Sequence, residues 1–138
     1  MSTYKSVFPQ FLRFLVVGTI GFIVNAGIVE FLYVHVGLVW CQLIAFPIAA
    51  TCTWWLNRNY TFTPTKSSIF KEWSRYITAN GLGWFINNGV YFFLVLNVSY
   101  VHMQPVLAVA AGSCTGLAFN FLMTRLFVFR MEKDIVRE

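Results

Sequence analysis

The sequence predicts an all-α transmembrane protein, a four-helix bundle made of two parallel-repeat helical hairpins with the N and C termini in the cytoplasm. Three observations carry that prediction. Apolar residues come in four runs of about 20, the length a helix needs at about 1.5 Å per residue to cross about 30 Å of hydrocarbon. Of the 138 residues, 58% are hydrophobic and only 11% charged, whereas soluble domains carry about 25% charged residues. The Lys and Arg residues collect on alternate connections.

The first run extends from about Phe11 to Val34. It outlasts the core of a cleavable signal peptide, and no small-residue cleavage site precedes a polar segment, so it is expected to remain as an anchor. The second covers Leu38 to Leu56, the third Tyr76 to Leu96 and the fourth Pro105 to Phe129, and the whole chain, 1–138, is expected to be a single domain. Between the second and third runs, Pro64 breaks the chain. Residues 67–75 then mix Ile69, Phe70 and Trp73 with Lys71, Glu72 and Arg75, the pattern of a short interfacial amphipathic helix.

The net charge is +5. Lys5 and Arg13 lie at the start of the first helix, Arg58, Lys66, Lys71 and Arg75 between the second and third, and Arg125, Arg130, Lys133 and Arg137 at the end. The connections near Gly37 and Ser99 contain no Lys or Arg. The positive-inside rule therefore puts all the basic residues on the cytoplasmic face and specifies one orientation.

The halves resemble each other. Arg13-Phe14, Gly21-Phe22 and Asn25 recur 62 positions later as Arg75-Tyr76, Gly83-Trp84 and Asn87. Arg58-x-Tyr60-x-Phe62 recurs 67 positions later as Arg125-x-Phe127-x-Phe129, and Tyr33-Val34-His35-Val36 matches Tyr100-Val101-His102-Met103 at the same spacing. The second copy has thus gained five residues between Asn87 and the outer loop. Each copy holds two helices, so the copies are parallel rather than inverted.

Helical periodicity puts Gly18, Gly21 and Asn25 on one face, with Asn80, Gly83 and Asn87 on the corresponding face of the third helix. The second helix carries the stripe Ala45, Ala49, Thr53, Asn57, and the fourth Gly112, Gly116, Asn120, Thr124. Two readings stand side by side: close helix packing with interhelical amide hydrogen bonds, or a polar groove lined by Asn25, Asn57, Asn87, Asn88 and Asn120. Glu30 is the only acidic residue inside a span. It is either a functional carboxylate or a structural one solvated near the outer boundary. Arg13, Arg58, Arg75 and Arg125 occupy repeat-related positions at the cytoplasmic ends of all four helices, either as topology anchors or as a site for an anionic headgroup, whose oxygens the guanidinium fork binds bidentately.

Cys41, Cys52 and Cys114 lack metal-ligand spacing and read as small apolar packers. With no Gly-rich phosphate loop, no paired His and no nucleophile set beside a base, the sequence predicts no enzyme, cofactor, metal or nucleic-acid site.

Arg13-Phe14-Leu15-Val16-Val17-Gly18 with Gly21-Phe22-x-x-Asn25, then Asn57-Arg58-x-Tyr60-Thr61-Phe62, then Asn120-Phe121-Leu122-x-x-Arg125-Leu126-Phe127-Val128-Phe129, together resemble the GtrA-like family of small four-helix bacterial membrane proteins. The second copy departs from the pattern, with Thr124 at the counterpart of Asn57. The resemblance implies a place in the bacterial inner membrane and translocation of a polyprenyl-phosphate-linked sugar, typically undecaprenyl-phosphate glucose, for a glycosyltransferase that modifies O-antigen or another cell-envelope polysaccharide. On this expectation, Arg13, Arg58, Arg75 and Arg125 meet the phosphate, and Asn25, Glu30, Asn57, Asn87 and Asn120 meet the sugar. The alternatives are a membrane scaffold that recruits the glycosyltransferase and, on weaker grounds, a small multidrug-type exporter. Because four helices enclose little space, a homodimer is expected.

Overall fold

The computed structural model describes the backbone of residues 3–129 and the side chains of residues 7–129 other than Leu38 and Pro105. Arg130, Lys133 and Arg137 of the basic set, and the Lys5 side chain, lie outside it. The described chain is helical, with α1 at Thr3–Val36, α2 at Leu38–Leu56, α3 at Ile69–Asn97, a short α4 at Ser99–Met103 and α5 at Pro105–Met123. Phe22, Phe31, Val39, Trp40, Phe85 and Phe93 each expose more than half of their surface. That inversion of the water-soluble pattern is what lipid tails allow.

Among the described residues, three helices are long and apolar enough to cross a membrane: α1, and α2 and α5 with the turns that extend them. At 29 residues, α3 reaches about 43 Å, so its length suffices. Lys71, Glu72 and Arg75 in its first turns and Asn80, Asn87 and Asn88 further along make it the most polar of the long helices. Where the sequence suggests a separate interfacial helix at 67–75, the structure differs. Ser68 caps α3 by accepting a hydrogen bond from the Lys71 N–H, and residues 69–75 are its first turns. Polar and apolar residues alternate there because one face is buried, with Glu72 and Tyr76 fully enclosed.

Packing is dominated by two pairs, α1 along α2 and α3 along α5. The predicted small-residue stripes form these seams: Ala45, Ala49, Thr53 and Asn57 are buried, as are Gly112, Gly116 and Thr124. The contacts repeat as the sequence does. A side chain at Gly21 would strike Thr53, and one at Gly83 would strike Asn120; these pairs are counterparts at 62 and 67 positions. Both hairpins end in a π-helical turn at matching positions, Asn57–Thr61 and Thr124–Val128, closed by Phe62 N–H to the Asn57 carbonyl at 2.8 Å and by Phe129 N–H to the Thr124 carbonyl at 3.1 Å. The two closing phenylalanines stack on each other, with centroids 5.0 Å apart and planes 8° apart. The pseudo-two-fold relation between the hairpins passes between them.

The structure relocates the five-residue gain. The ends of α1 and α3, Val36 and Asn97, lie within one residue of the spacing of 62, and α2 and α5 begin in register at 67, so the extra residues fall in the connection that carries α4. Tyr33–Val36 is therefore the last turn of α1, whereas Tyr100–Met103 belongs to an element without counterpart in the first hairpin. The match between His35 and His102 is not a structural equivalence. Gly37 joins α1 to α2 at φ 82° and ψ 165°, backbone angles open essentially only to glycine.

In lipid, close van der Waals packing holds helices together because apolar burial supplies no driving force there. At Gly112, a Cβ would lie 2.6 Å from the Asn87 carbonyl oxygen, a backbone atom that cannot swing aside. Gly112→Ala should therefore separate α3 from α5 and cost about 1–3 kcal/mol. Thermal unfolding in detergent measures it, and an unchanged midpoint would show that the seam tolerates the methyl group.

Candidate functional site

The two hairpins leave a groove of about 960 Å³ between them, at the upper end of the range of about 300–1,000 Å³ for small-molecule sites. From α1 come Phe14, Gly18, Gly21, Phe22 and Asn25; α2 contributes Val39, Gln42, Leu43, Phe46, Ala49, Ala50 and Thr53, and the turn after it Asn57; α3 adds Tyr76, Asn80, Gly81, Trp84 and Phe85; α5 adds Leu117 and Asn120. Along α2 the lining covers about 27 Å, nearly the hydrocarbon thickness. Gly18 and Gly81 keep the groove open, since nothing lies within 4 Å of where their Cβ atoms would be.

The walls are apolar and the polar groups are neutral. No lining residue is charged; the polar ones are Asn25, Gln42, Thr53, Asn57, Tyr76, Asn80 and Asn120. A chain of hydrogen bonds fixes the end nearest the basic connections. Asn57 Nδ2 donates to Tyr76 Oη at 2.9 Å, Tyr76 Oη donates to Thr53 Oγ1 at 3.0 Å, and Thr53 Oγ1 donates to the Ala50 carbonyl at 3.0 Å. Asn80 Nδ2 donates to the Tyr76 carbonyl at 2.9 Å. This network leaves Asn57 Oδ1 unpaired, and Asn120 Oδ1 is unpaired as well. A buried acceptor without a donor costs about 1–3 kcal/mol; both oxygens are closed off from solvent, and Asn120 Oδ1 packs against Gly83 in the α3–α5 seam.

The groove brings together three of the five residues expected to meet a sugar: Asn25, Asn57 and Asn120. Asn87 instead packs against Gly112 and Gly116 in the α3–α5 seam. Glu30 is exposed on α1 away from the groove. Gln42, Thr53, Tyr76 and Asn80 complete the polar lining. Asn80 and Thr53 belong to helix faces already legible in the sequence, whereas Gln42 and Tyr76 carry no signal there beyond a polar group in an apolar run.

None of the four arginines lines the groove. The Arg13 guanidinium donates to the Tyr60 carbonyl at 3.2 Å, and its counterpart Arg75 sits over the ring of Phe127, the counterpart of Tyr60, at 6.0 Å. Arg58 is engaged internally. Its Nη1 lies 2.7 Å from Glu72 Oε1 and its guanidinium 6.0 Å from the Trp54 ring. Arg125 has an Nη1 that is buried without a partner.

Glu72, which the sequence marks only as part of an amphipathic stretch, is the most connected side chain at this end. Fully buried, it accepts from Trp54 Nε1 at 3.1 Å and Arg58 Nη1 at 2.7 Å on Oε1, and from the Thr65 N–H at 3.1 Å and Thr65 Oγ1 at 2.7 Å on Oε2. The carboxylate thus ties the end of α2, the connection after the π turn and the start of α3 into one unit. Charge-assisted hydrogen bonds of this kind are the strong ones.

A family model described as GtrA/DPMS, transmembrane domain, matches residues 13–129. That span contains the two hairpins, the groove and the four arginines. No curated protein matches the chain.

Proposed function

The chain belongs to the GtrA/DPMS transmembrane-domain family, and from that premise we propose that it moves a polyprenyl-phosphate-linked sugar, undecaprenyl-phosphate glucose in the first instance, between the leaflets of the bacterial inner membrane for cell-envelope polysaccharide synthesis. The observation that carries this reading is the groove: about as long as the bilayer core is thick, apolar in its walls, and furnished with neutral amides. A hexose needs hydrogen-bond partners to leave water, and neutral amides supply them without the charge that would hold it fast. Phe22, Val39, Leu43, Trp84 and Phe85 line the groove and are exposed, a rim along which a polyprenyl tail stays in lipid while the head passes.

On this reading α1, α2, α3 and α5 form a transmembrane four-helix bundle, with the polar face of α3 turned to the groove and the α3–α5 seam. The basic end, with both termini, faces the cytoplasm, where the arginines receive the lipid phosphate. No covalent chemistry is assigned to the chain. The partner is a glycosyltransferase that consumes the delivered lipid. A homodimer is not needed to complete the site, because one chain already encloses the groove. The exporter reading is the less favoured, since proton-coupled export of a cation calls for a carboxylate in the cavity and Glu30 lies outside it.

Purified protein in liposomes tests the proposal. Polyprenyl-phosphate glucose supplied in one leaflet should appear in the other at a rate at least tenfold above protein-free vesicles. If the rate stays at background while the chain co-purifies with a glycosyltransferase and restores glycan modification, the scaffold reading replaces translocation.

A further inference from the structure

The repeat relates the Arg58–Glu72 ion pair, which joins the end of the first hairpin to the start of the second, to a pair between the same two hairpins that has no carboxylate. The residue 62 positions before Glu72 is Gln10, and the residue 67 positions after Arg58 is Arg125. The surroundings correspond as well. Trp54 and Tyr76 pack in one cluster, and their counterparts Phe121 and Phe14 pack in the other at 5.4 Å between ring centroids. Phe11, next to Gln10, meets Phe121 at 5.1 Å, as its counterpart Trp73 packs against the cluster of Trp54. The two mouths share a backbone plan and differ in their polar groups.

The differences are concerted. Where Glu72 accepts from Arg58 and from the Trp54 indole N–H, the other mouth has Gln10 in place of the carboxylate and Phe121 in place of the indole donor, while the arginine is kept. Gln10 Oε1 and Arg125 Nη1 are both buried and both unpaired. Glu72 and Arg58, their counterparts, lie 2.7 Å apart. A guanidinium nitrogen held out of water without an anion is costly. Arg125 as a whole residue is only half-buried. We infer that the Gln10–Arg125 mouth is a phosphate-group site, the place where an external anion takes the position that the Glu72 carboxylate fills in the repeat-related mouth.

This rests on the translocation reading for the identity of the ligand, a lipid phosphodiester, but the site itself does not. It divides the labour among the four arginines. Arg58 is neutralised by its own chain and holds the fold, whereas Arg125 receives the substrate anion. The phosphodiester carries one negative charge, so a single arginine can balance it, and the Gln10 amide, being neutral, can donate through Nε2 where a carboxylate would repel it. The mouth lies beside Asn120, one helical turn and a residue before Arg125 along the chain, which puts the sugar of a bound lipid near the end of the groove that Asn120 lines.

Gln10→Glu is the decisive variant, because it rebuilds the missing carboxylate and should close the site from within. Binding to protein in nanodiscs is measured by native mass spectrometry and by thermal shift, with polyprenyl-phosphate glucose, the uncharged polyprenol and inorganic phosphate as separate probes. Wild type should bind the phosphorylated lipid and be stabilised by it, and the polyprenol should do neither. Gln10→Glu should lose at least tenfold in affinity while its ligand-free unfolding midpoint stays level or rises, and Arg125→Gln should lose binding to the same degree. A lipid that binds better than inorganic phosphate identifies the headgroup as the source of the anion; the reverse order identifies free phosphate. Wild-type affinity in both Gln10→Glu and Arg125→Gln would overturn the site. Translocation unimpaired in both variants would sink the site and leave translocation standing. Arg125-dependent binding with no translocation in the wild type would do the opposite.

Discussion

Glu72→Ala should be the most damaging single substitution in the chain, lowering stability by about 3 kcal/mol or more and removing most folded protein from the membrane. The side chain is fully buried and accepts four hydrogen bonds from three residues. Truncation leaves Arg58 facing its former partner's cavity with a charge and no anion, and strands the Trp54 and Thr65 donors. Breaking a buried pair by removing one member costs about 3–5 kcal/mol. Because Arg58 keeps 20% of its side chain exposed, water can reach it, which argues for the lower end. Against a total of about 5–15 kcal/mol for a domain, that loss is large.

Graded variants separate the contributions at this clamp. Trp54→Phe, which removes one donor and keeps the ring, should cost about 1 kcal/mol. Glu72→Gln, which keeps the shape and loses the charge, should fall between the two. Unfolding midpoints in detergent, with the fraction of protein recovered from membranes, give the order. If Glu72→Ala unfolds at the wild-type temperature, the carboxylate is not what joins α2 to α3.

The parts of the fold that are legible in the sequence are those governed by period and repetition. Runs of about 20 apolar residues locate the long helices, and small residues four apart locate the seams, because close approach in lipid demands small side chains. The repeat gives Gly21 and Gly83 matching roles, and both press on the facing helix of their own hairpin. Glu72 is illegible for a physical reason. A charged residue near a helix start reads as solvated unless its partners are known, and Trp54, Arg58 and Thr65 reach it across a turn whose π-helical geometry no composition rule reveals. The groove is half legible for a similar reason. Helical phase puts Asn25 and Asn87 on equivalent faces, but the environments depart from the repeat: Asn25 lines the groove, whereas Asn87 packs against Gly112 and Gly116 in the α3–α5 seam. The charge pattern locates the arginines at one end, and only the side-chain environment distinguishes the paired Arg58 from the unpaired Arg125.

Filling the groove should abolish translocation without unfolding the protein, and the glycines make that separation possible. Gly18 and Gly81 both line the groove, and a Cβ added at either would have nothing within 4 Å, so Gly18→Leu with Gly81→Leu places two branched side chains in open space. Leucine is a better helix former than glycine by about 0.5–1 kcal/mol per site, and the double variant should therefore unfold no earlier than wild type. Its translocation rate should fall at least tenfold, because the groove narrows between α1 and α3 where a sugar must pass. The control is Gly27→Leu with Gly89→Leu, the same chemistry at two further glycines with open surroundings that are not part of the lining. It should leave the rate unchanged. Gly21 and Gly83, pressed on Thr53 and Asn120, should lose stability on the same substitution and so lose activity for an unrelated reason. A Gly18/Gly81 double variant that folds and still moves lipid at the wild-type rate would remove the groove from the transport path, whatever the arginines bind.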